Sequence, residues 1–441
     1  MRQITVNPAE SIKGQINVPG DKSISHRAVM IGSLSEGVTR IQNFLMGEDC
    51  LNTLRAFRAM GIQTEIGDDR VVTIHGNGLD GLCEPEDVID IGNSGTSIRI
   101  MSGVLAGQPF YSVITGDSSI RRRPMGRITE PLRKMGARIF GRGNGTLAPL
   151  TIIGGDLKSI YYKTPVASAQ VKSSILMAGL FANGYTTVTE PAQSRDHTER
   201  MLRFFGAEVQ SDGLNHQLKG LPRLKGREII VPGDISSAAY FLVAAAITPG
   251  SEILVKDVGI NPTRAGILEA LKQMGAKIQV ENHRKVNGEP IADIRIYHSK
   301  LRGATFKGDV IVRMIDEIPL LAVAATQAEG ETVIRDAKEL RVKETDRIAA
   351  MTKELRQMGA EVEPIEDGMI ISGNPPPTLF QRGVQKGGLR GAECDSHGDH
   401  RIAMSVAVAA LIADGETTIS DIDCVQTSFP SFFKLLDSVR R

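Results

Sequence analysis

The sequence predicts an α/β protein built from six copies of one small unit and grouped as two similar domains of three units each. Three observations carry this. The first is a recurring phrase in which a helical stretch ends in Met-Gly or Phe-Gly and a short strand follows. It occurs as LRAFRAMGI (Gly61), LRKMGARI (Gly136), LRFFGAEV (Gly206), LKQMGAKI (Gly275) and LRQMGAEV (Gly359), at intervals of 75, 70, 69 and 84 residues. Glycine suits the position just past a helix, where the left-handed backbone costs it little. Upstream apolar residues fall at helical spacing, as Ile267, Leu268, Leu271 and Met274 do, and likewise Ile348, Met351, Leu355 and Met358. The second is an Ala-rich helical run, a glycine and a Thr/Val/Ile strand, centred on Gly37, Gly184, Gly250, Gly330 and Gly415, with a looser copy at Gly107. Six copies in 441 residues leave about 73 each, enough for two helices and several strands.

The third observation is a near-copy between the halves. Val18 to Gly37 reads VPGDKSISHRAVMIGSLSEG and Val231 to Gly250 reads VPGDISSAAYFLVAAAITPG. The expected boundaries are therefore 1–18 plus 234–441 for one discontinuous domain and 19–233 for the other, with hinges near 19–21 and 231–234. The N-terminal strand should then pair with the C-terminal half. The copies differ where scaffold needs would favour identity, since only the first carries Lys22, Ser23 and Arg27. Those three are functional candidates.

Composition narrows the function. At 441 residues there is ample chain for packed cores, and Lys plus Arg at 52 against Asp plus Glu at 51 gives a formal charge of +1. A nucleic-acid coat or a membrane-surface binder needs a large basic excess, so neither partner is expected. With aromatics at 4% and no Trp, base-stacking schemes are weak as well. The longest near-apolar run, Ala403 to Ile412, is too short for a bilayer. The N-terminus has no apolar signal core, and the four cysteines (Cys50, Cys83, Cys394, Cys424) contain no C-x-x-C. Reduced thiols and a cytoplasmic location are expected.

The polar segments stand at the starts of expected helices. GNSGTSIR (Gly92–Arg99) is a glycine-rich turn whose N–H groups suit either an anion or an ordinary cap. SSIRRRPMGR sets Arg121, Arg122 and Arg123 before Pro124, which reads as a solvated face or as an anion clamp. VASAQVKSS offers Ser168 and Gln170, and SRDHTERM offers Arg195. MIDEIPLLAVAA puts Asp316 and Glu317 ahead of an apolar helix, where N-capping is the plain reading. LRVKETDRI packs Lys343, Glu344, Asp346 and Arg347 into five residues, and on a helix start 343 and 347 share a face. GDHRIAMSVAVAA repeats the design with Asp399, His400 and Arg401. Gly76 to Gly81 matches G-x-G-x-x-G, but LCEPEDVID after it is not helical, so the dinucleotide fingerprint fails. No Walker-type loop is present. Cys394, His397 and His400 lack further ligands, so no metal is expected. Many cations with few carboxylates suit substrates rich in phosphate and carboxylate oxygens.

PGDKSISHR, GNSGT, RRRPMGR, RVKETDR, GDHRIAM and the late TSFP together resemble the 5-enolpyruvylshikimate-3-phosphate synthases (3-phosphoshikimate 1-carboxyvinyltransferases), over essentially the whole chain and in the family's order. The resemblance implies two domains of three βαβαββ-type repeats, the enolpyruvyl transferase inside-out α/β barrel, with the active site in the interdomain cleft. It implies transfer of the enolpyruvyl group of phosphoenolpyruvate to the 5-hydroxyl of shikimate 3-phosphate, in aromatic amino acid biosynthesis, with no metal or organic cofactor and a monomeric chain. Carried over residue by residue, Lys22, Ser23, Arg27, Ser168, Gln170, Arg195, Asp316 and Lys343 bind shikimate 3-phosphate. Lys22, Gly95, Arg123, Gln170, Arg347 and Arg401 bind phosphoenolpyruvate. Asp316, Glu344 and Lys22 are the catalytic set, with Asp316 accepting the 5-hydroxyl proton and Glu344 protonating the methylene carbon.

The chain departs from the commonest family pattern at three places. Thr427 stands where many members have Lys, Ala169 where many have Ser, and Arg195 where many have Ser. This pattern resembles the family's second, glyphosate-tolerant-type subclass. Gly95 is expected to leave room where tolerant members of that subclass carry a bulkier residue, so the glyphosate response stays open. The alternatives are a UDP-N-acetylglucosamine enolpyruvyl transferase and a non-catalytic six-repeat clamp. The first needs a loop Cys where this chain has Ser-Ile-Arg-Arg-Arg-Pro. The second leaves the one-sided cations unexplained.

Overall fold

The computed structural model describes residues 2–68, 70–373 and 388–441. Its regularity begins at single glycines. Gly61, Gly136, Gly206, Gly275 and Gly359 all stand just past a helix with φ between +86° and +115°. Gly37, Gly184, Gly250, Gly330 and Gly415 are also left-handed, at φ from +66° to +97°. Gly107, the looser copy, is right-handed at φ −86°. There the chain leaves the helix differently and Phe181 packs against it, so a Cβ would lie 2.2 Å from that ring.

Those turns deliver the strands to six sheets among the described residues. In each, one parallel pair meets an antiparallel partner. Glu228–Ile230 runs parallel to Glu36–Gln42, which runs antiparallel to Val72–Asn77. The pattern recurs in the sheets centred on Tyr111–Thr115, Tyr185–Thr189, Glu252–Gly259 and Gly330–Ile334. The sixth sheet is completed from the other end of the chain. Gln3–Val6 pairs antiparallel with Thr417–Ser420, and Glu393–Asp395 runs parallel to the same strand. Lys13–Asn17 likewise lies parallel to Glu252–Lys256. The N-terminal strands thus belong with the C-terminal half.

Each repeat supplies two kinds of helix. Lys22–Ser33, Gly95–Ala106, Ala169–Gly179, Ile235–Ile247, Ile318–Thr326 and His400–Ala410 are buried almost all round. Ala, Ser and Gly on their faces let them pack closely. A Cβ on Gly103 would sit 2.1 Å from the Ser174 carbonyl of the neighbouring helix, so glycine is required there. The second kind, such as Gly126–Met135 and His197–Phe205, is amphipathic and covers a sheet with its apolar stripe. Strands alternate buried and exposed residues, with one face on the helices and the other solvated.

The chain forms two compact units with separate cores. One comprises Met1–Pro19, Gly233–Arg284 and Pro290–Arg441, and the other Gly20–Pro232 with Lys285–Glu289. Each contains three sheets and three fully buried helices. Asp21 and Asp234, equivalent in the VPGD repeat, both cap a buried helix through side-chain acceptance of a backbone N–H, from Ile24 at 2.9 Å and Ser236 at 2.8 Å. No helix among the described residues is long and apolar enough to cross a membrane.

Candidate active site

The buried helices carry apolar residues along their length and polar ones at their N-termini. A helix N-terminus presents unpaired N–H groups and partial positive charge, so it favours anions. The sequence candidates cluster there, in two sets, one within each unit.

In the unit containing residues 20–232, helix Lys22–Ser33 presents Lys22, Ser23 and Arg27. The Lys22 ammonium lies 3.0 Å from Asp49. Arg27 is buried yet has no carboxylate among its hydrogen-bond acceptors in the described residues. Its Nε donates to Thr198 Oγ1 at 2.6 Å, Nη2 to Ser173 Oγ at 2.8 Å and Nη1 to the Ser23 carbonyl at 2.9 Å. Burial pulls this guanidinium down to about 10; Glu199 and Asp21 oppose the shift and Arg195 adds to it. Such a cation gains from an arriving anion. Arg195 is half-buried one residue before the cap of helix His197–Phe205. Ser168 caps helix Ala169–Gly179 by accepting from Val171 N.

Gln170, in the first turn of that helix, ties this group to the glycine-rich turn. Its carbonyl oxygen accepts from Arg99 Nη1 at 2.7 Å, and its amide donates to Thr96 Oγ1 at 3.1 Å. The arginine run divides: Arg121 and Arg122 are exposed, while Arg123 is buried. Arg123 Nη2 donates to Asn93 Oδ1 at 3.0 Å and to Ser119 Oγ at 3.1 Å. At Gly95 an added Cβ would lie 2.9 Å from Arg123 Nη1 and 3.1 Å from Arg99 Nη1, so the ends of those two side chains would have to shift. The two guanidinium groups close over the glycine.

In the other unit, Arg347 is almost fully buried and bound on three sides. Nε donates to Asp399 Oδ2 at 2.7 Å, Nη2 to Glu344 Oε2 at 2.6 Å and Nη1 to Asp316 Oδ1 at 3.3 Å. Arg401 Nη2 lies 3.8 Å from Asp316 Oδ2 and its Nη1 3.8 Å from Glu317 Oε1. Burial works against both cations, but the carboxylates outweigh it and raise both pKa values, chiefly Asp399 for Arg347 and Asp316 for Arg401. Lys343 goes the other way. Burial and the Arg347 charge push its ammonium below the ordinary lysine value, against Asp316, Glu339 and Glu344. Asp316 and Glu344 thus share one cation, each partly exposed at 14% and 15%. Thr427 sits at the end of this set, 3.3 Å from His400 Nδ1.

Two local readings are corrected. Lys343 and Arg347 do not share a helix face, because Lys343 follows the 3₁₀ turn Lys338–Val342 and the helix starts at Arg347, capped by Asp346. Glu317 occupies the cap position of helix Ile318–Thr326 but makes no side-chain cap. Both its oxygens instead accept from Arg264 Nη1 at 2.9 Å. Asp49 and Arg264 join the site from outside the polar motifs, while Thr96, Arg99, Glu317 and Asp399 lie inside them. Nothing in spacing shows which guanidinium a distant carboxylate will meet. His397, weighed as a metal ligand, bonds Glu354 at 2.8 Å.

The family model of EPSP synthase (3-phosphoshikimate 1-carboxyvinyltransferase) matches residues 6–436. The 3-phosphoshikimate 1-carboxyvinyltransferase of Desulforamulus reducens is 55% identical over 437 residues, covering 99% of both chains. That of Desulforudis audaxviator is 56% identical over 437 residues, again covering 99% of both. The solved EPSP synthase of Acinetobacter baumannii superposes with a TM-score of 0.87 at 50% identity, covering 100% of this chain and 98% of that one. The chain therefore belongs to the EPSP synthase family.

Proposed function

We infer that this enzyme transfers the 1-carboxyvinyl group of phosphoenolpyruvate to the 5-hydroxyl of shikimate 3-phosphate and releases phosphate. The observation that carries the reading is Arg27, a buried guanidinium whose hydrogen-bond acceptors among the described residues are hydroxyl and carbonyl oxygens, on a helix that its twin in the other half does not match. Each substrate brings a phosphate and a carboxylate, together about −5 to −6 charge near neutral pH. Lys22, Arg27, Arg123, Arg195, Lys343, Arg347 and Arg401 offset that repulsion and stabilise charge that shifts during addition. Asp49, Asp399 and Glu317 hold three of these cations in place, Glu317 at the longest range.

Shikimate 3-phosphate is bound by Lys22, Ser23, Arg27, Ser168, Gln170, Arg195, Asp316 and Lys343. Phosphoenolpyruvate is bound by Lys22, Gly95, Arg123, Gln170, Arg347 and Arg401. Addition needs a proton at carbon-3 of the enol ether and an oxygen nucleophile at carbon-2. Asp316 takes the 5-hydroxyl proton as that oxygen attacks, and Glu344 gives a proton to the methylene carbon, with Lys22 assisting. Elimination then removes a proton from that methyl carbon as the carbon-2 bond to phosphate breaks, which restores the double bond and releases phosphate. Both carboxylates touch Arg347, which holds them in place. A monomer is the working form.

Phosphate release from phosphoenolpyruvate tests the reading against its rivals. Release is expected with shikimate 3-phosphate and not with UDP-N-acetylglucosamine. No release with shikimate 3-phosphate overturns the proposal, and no release with either acceptor favours a binding protein.

A further inference from the structure

Behind Arg27 lies a cluster of charges without solvent contact and outside the reaction just described. The Lys172 ammonium sits 2.7 Å from Glu190 Oε2 and 2.8 Å from Glu199 Oε1, and all three side chains are 0% exposed. His216 fills the remaining side, with Nε2 3.3 Å from Glu190 and Nδ1 3.3 Å from Glu199. Burying charges costs several kcal/mol per ion, and a hydrophobic core of the same volume is commonly as stable. The position of this cluster in the chain suggests what it does.

Lys172 and Glu199 are sequence neighbours of residues that shape the phosphate-binding half-site, and Glu190 reaches a third through a hydrogen bond. Lys172 precedes Ser173 and Glu199 follows Thr198, and Ser173 and Thr198 are the two hydroxyls on Arg27, 2.6 Å from each other. Lys172 also stands one turn inside the helix that carries Ser168 and Gln170. Glu190 accepts from Ser194 through both the backbone N–H and the hydroxyl, and Ser194 immediately precedes Arg195. One buried ammonium therefore sets the register between helix Ala169–Gly179, helix His197–Phe205 and the segment between Glu190 and Arg195. It also acts through charge. Glu199 is the foremost carboxylate raising the Arg27 pKa, so any negative charge on Glu199 that Lys172 does not offset competes with an incoming phosphate for that guanidinium.

We propose that Lys172 is a positioning residue for shikimate 3-phosphate: by neutralising Glu190 and Glu199 it fixes the Ser173–Thr198 hydroxyl pair on Arg27 and leaves that guanidinium to the substrate phosphate. The inference rests on the substrate reading above. Calorimetric titration of the parent with shikimate 3-phosphate tests that reading separately, since a parent that does not bind overturns the reading itself.

Given a binding parent, Lys172→Met should weaken shikimate 3-phosphate by roughly ten-fold. The KM for phosphoenolpyruvate at saturating co-substrate should change less than about two-fold. Removing the competing charge should act in the opposite sense. Glu199→Gln alone should bind shikimate 3-phosphate at least as tightly as the parent, and Lys172→Met/Glu199→Gln should recover most of the loss. If the cluster were only a strut, Glu199→Gln would weaken binding as Lys172→Met does, and the double variant would be worse than either. That pattern overturns the proposal, as does an unchanged affinity in a folded Lys172→Met. Should Lys172→Met fail to fold, the sign of the Glu199→Gln effect decides alone.

Discussion

Asp316 shows how much one side chain's surroundings can settle. It touches Arg347 at 3.3 Å and Arg401 at 3.8 Å, two buried cations that hold its oxygens in place. Asp316→Asn keeps the shape and removes the base. It should lower kcat by roughly 10²–10⁴-fold while shikimate 3-phosphate affinity changes by only a few-fold; a kcat within three-fold of the parent, on the order of RT in free energy, removes Asp316 from the chemistry. Lys343 makes a prediction with a defined sign. Its folded-state pKa is lowered by burial and by Arg347. The charged amine is present below that value, and its hold on the phosphate fades as pH rises through it, earlier than the roughly 10.4 of an ordinary lysine. The folded chain also sheds this proton before the unfolded chain does, so this group's contribution to stability rises with pH across the same window. Lys343→Arg keeps the charge throughout, so the alkaline limb of shikimate 3-phosphate affinity should flatten. Identical limbs in parent and variant would contradict the assignment.

The sequence announced the elements themselves because their punctuation is local. Five glycines past helix ends are left-handed where the Met-Gly and Phe-Gly phrases placed them. Asp21, Asp234 and Asp399 cap helices whose starts their motifs marked. The start of helix Arg347–Gln357 differs from the sequence expectation for a local reason as well. Lys343 to Asp346 form an irregular turn that lets Asp346 cap, and a dense charged phrase looks the same in either conformation. Asp399 serves both as a cap and as an ion-pair partner, accepting from Arg401 N at 2.8 Å while binding Arg347 Nε at 2.7 Å. Asp399→Ala loses both roles and leaves part of a buried guanidinium unpaired, for an expected cost of about 3–5 kcal/mol. Asp399→Asn retains a capping oxygen and should be less destabilised by about 1 kcal/mol. Urea denaturation distinguishes them, and equal losses would mean that the cap contributes nothing.

At the scale of the molecule, the two units repeat one architecture and divide the cations between them. Lys22, Arg27 and Arg123 lie in one unit, Lys343, Arg347 and Arg401 in the other. The sixfold repeat, the glycine turns, the Ala-rich helices and the residues at their N-termini are legible in the chain, because each follows from spacing and backbone conformation within a few dozen residues. Folding in three dimensions is what pairs Asp49 with Lys22 and Asp399 with Arg347, sets two arginines beside Gly95, and buries Lys172 among two glutamates and a histidine. Those pairings join elements distant in the chain. A buried charge takes whichever partner the packing brings within about 3 Å, and no local pattern records that choice.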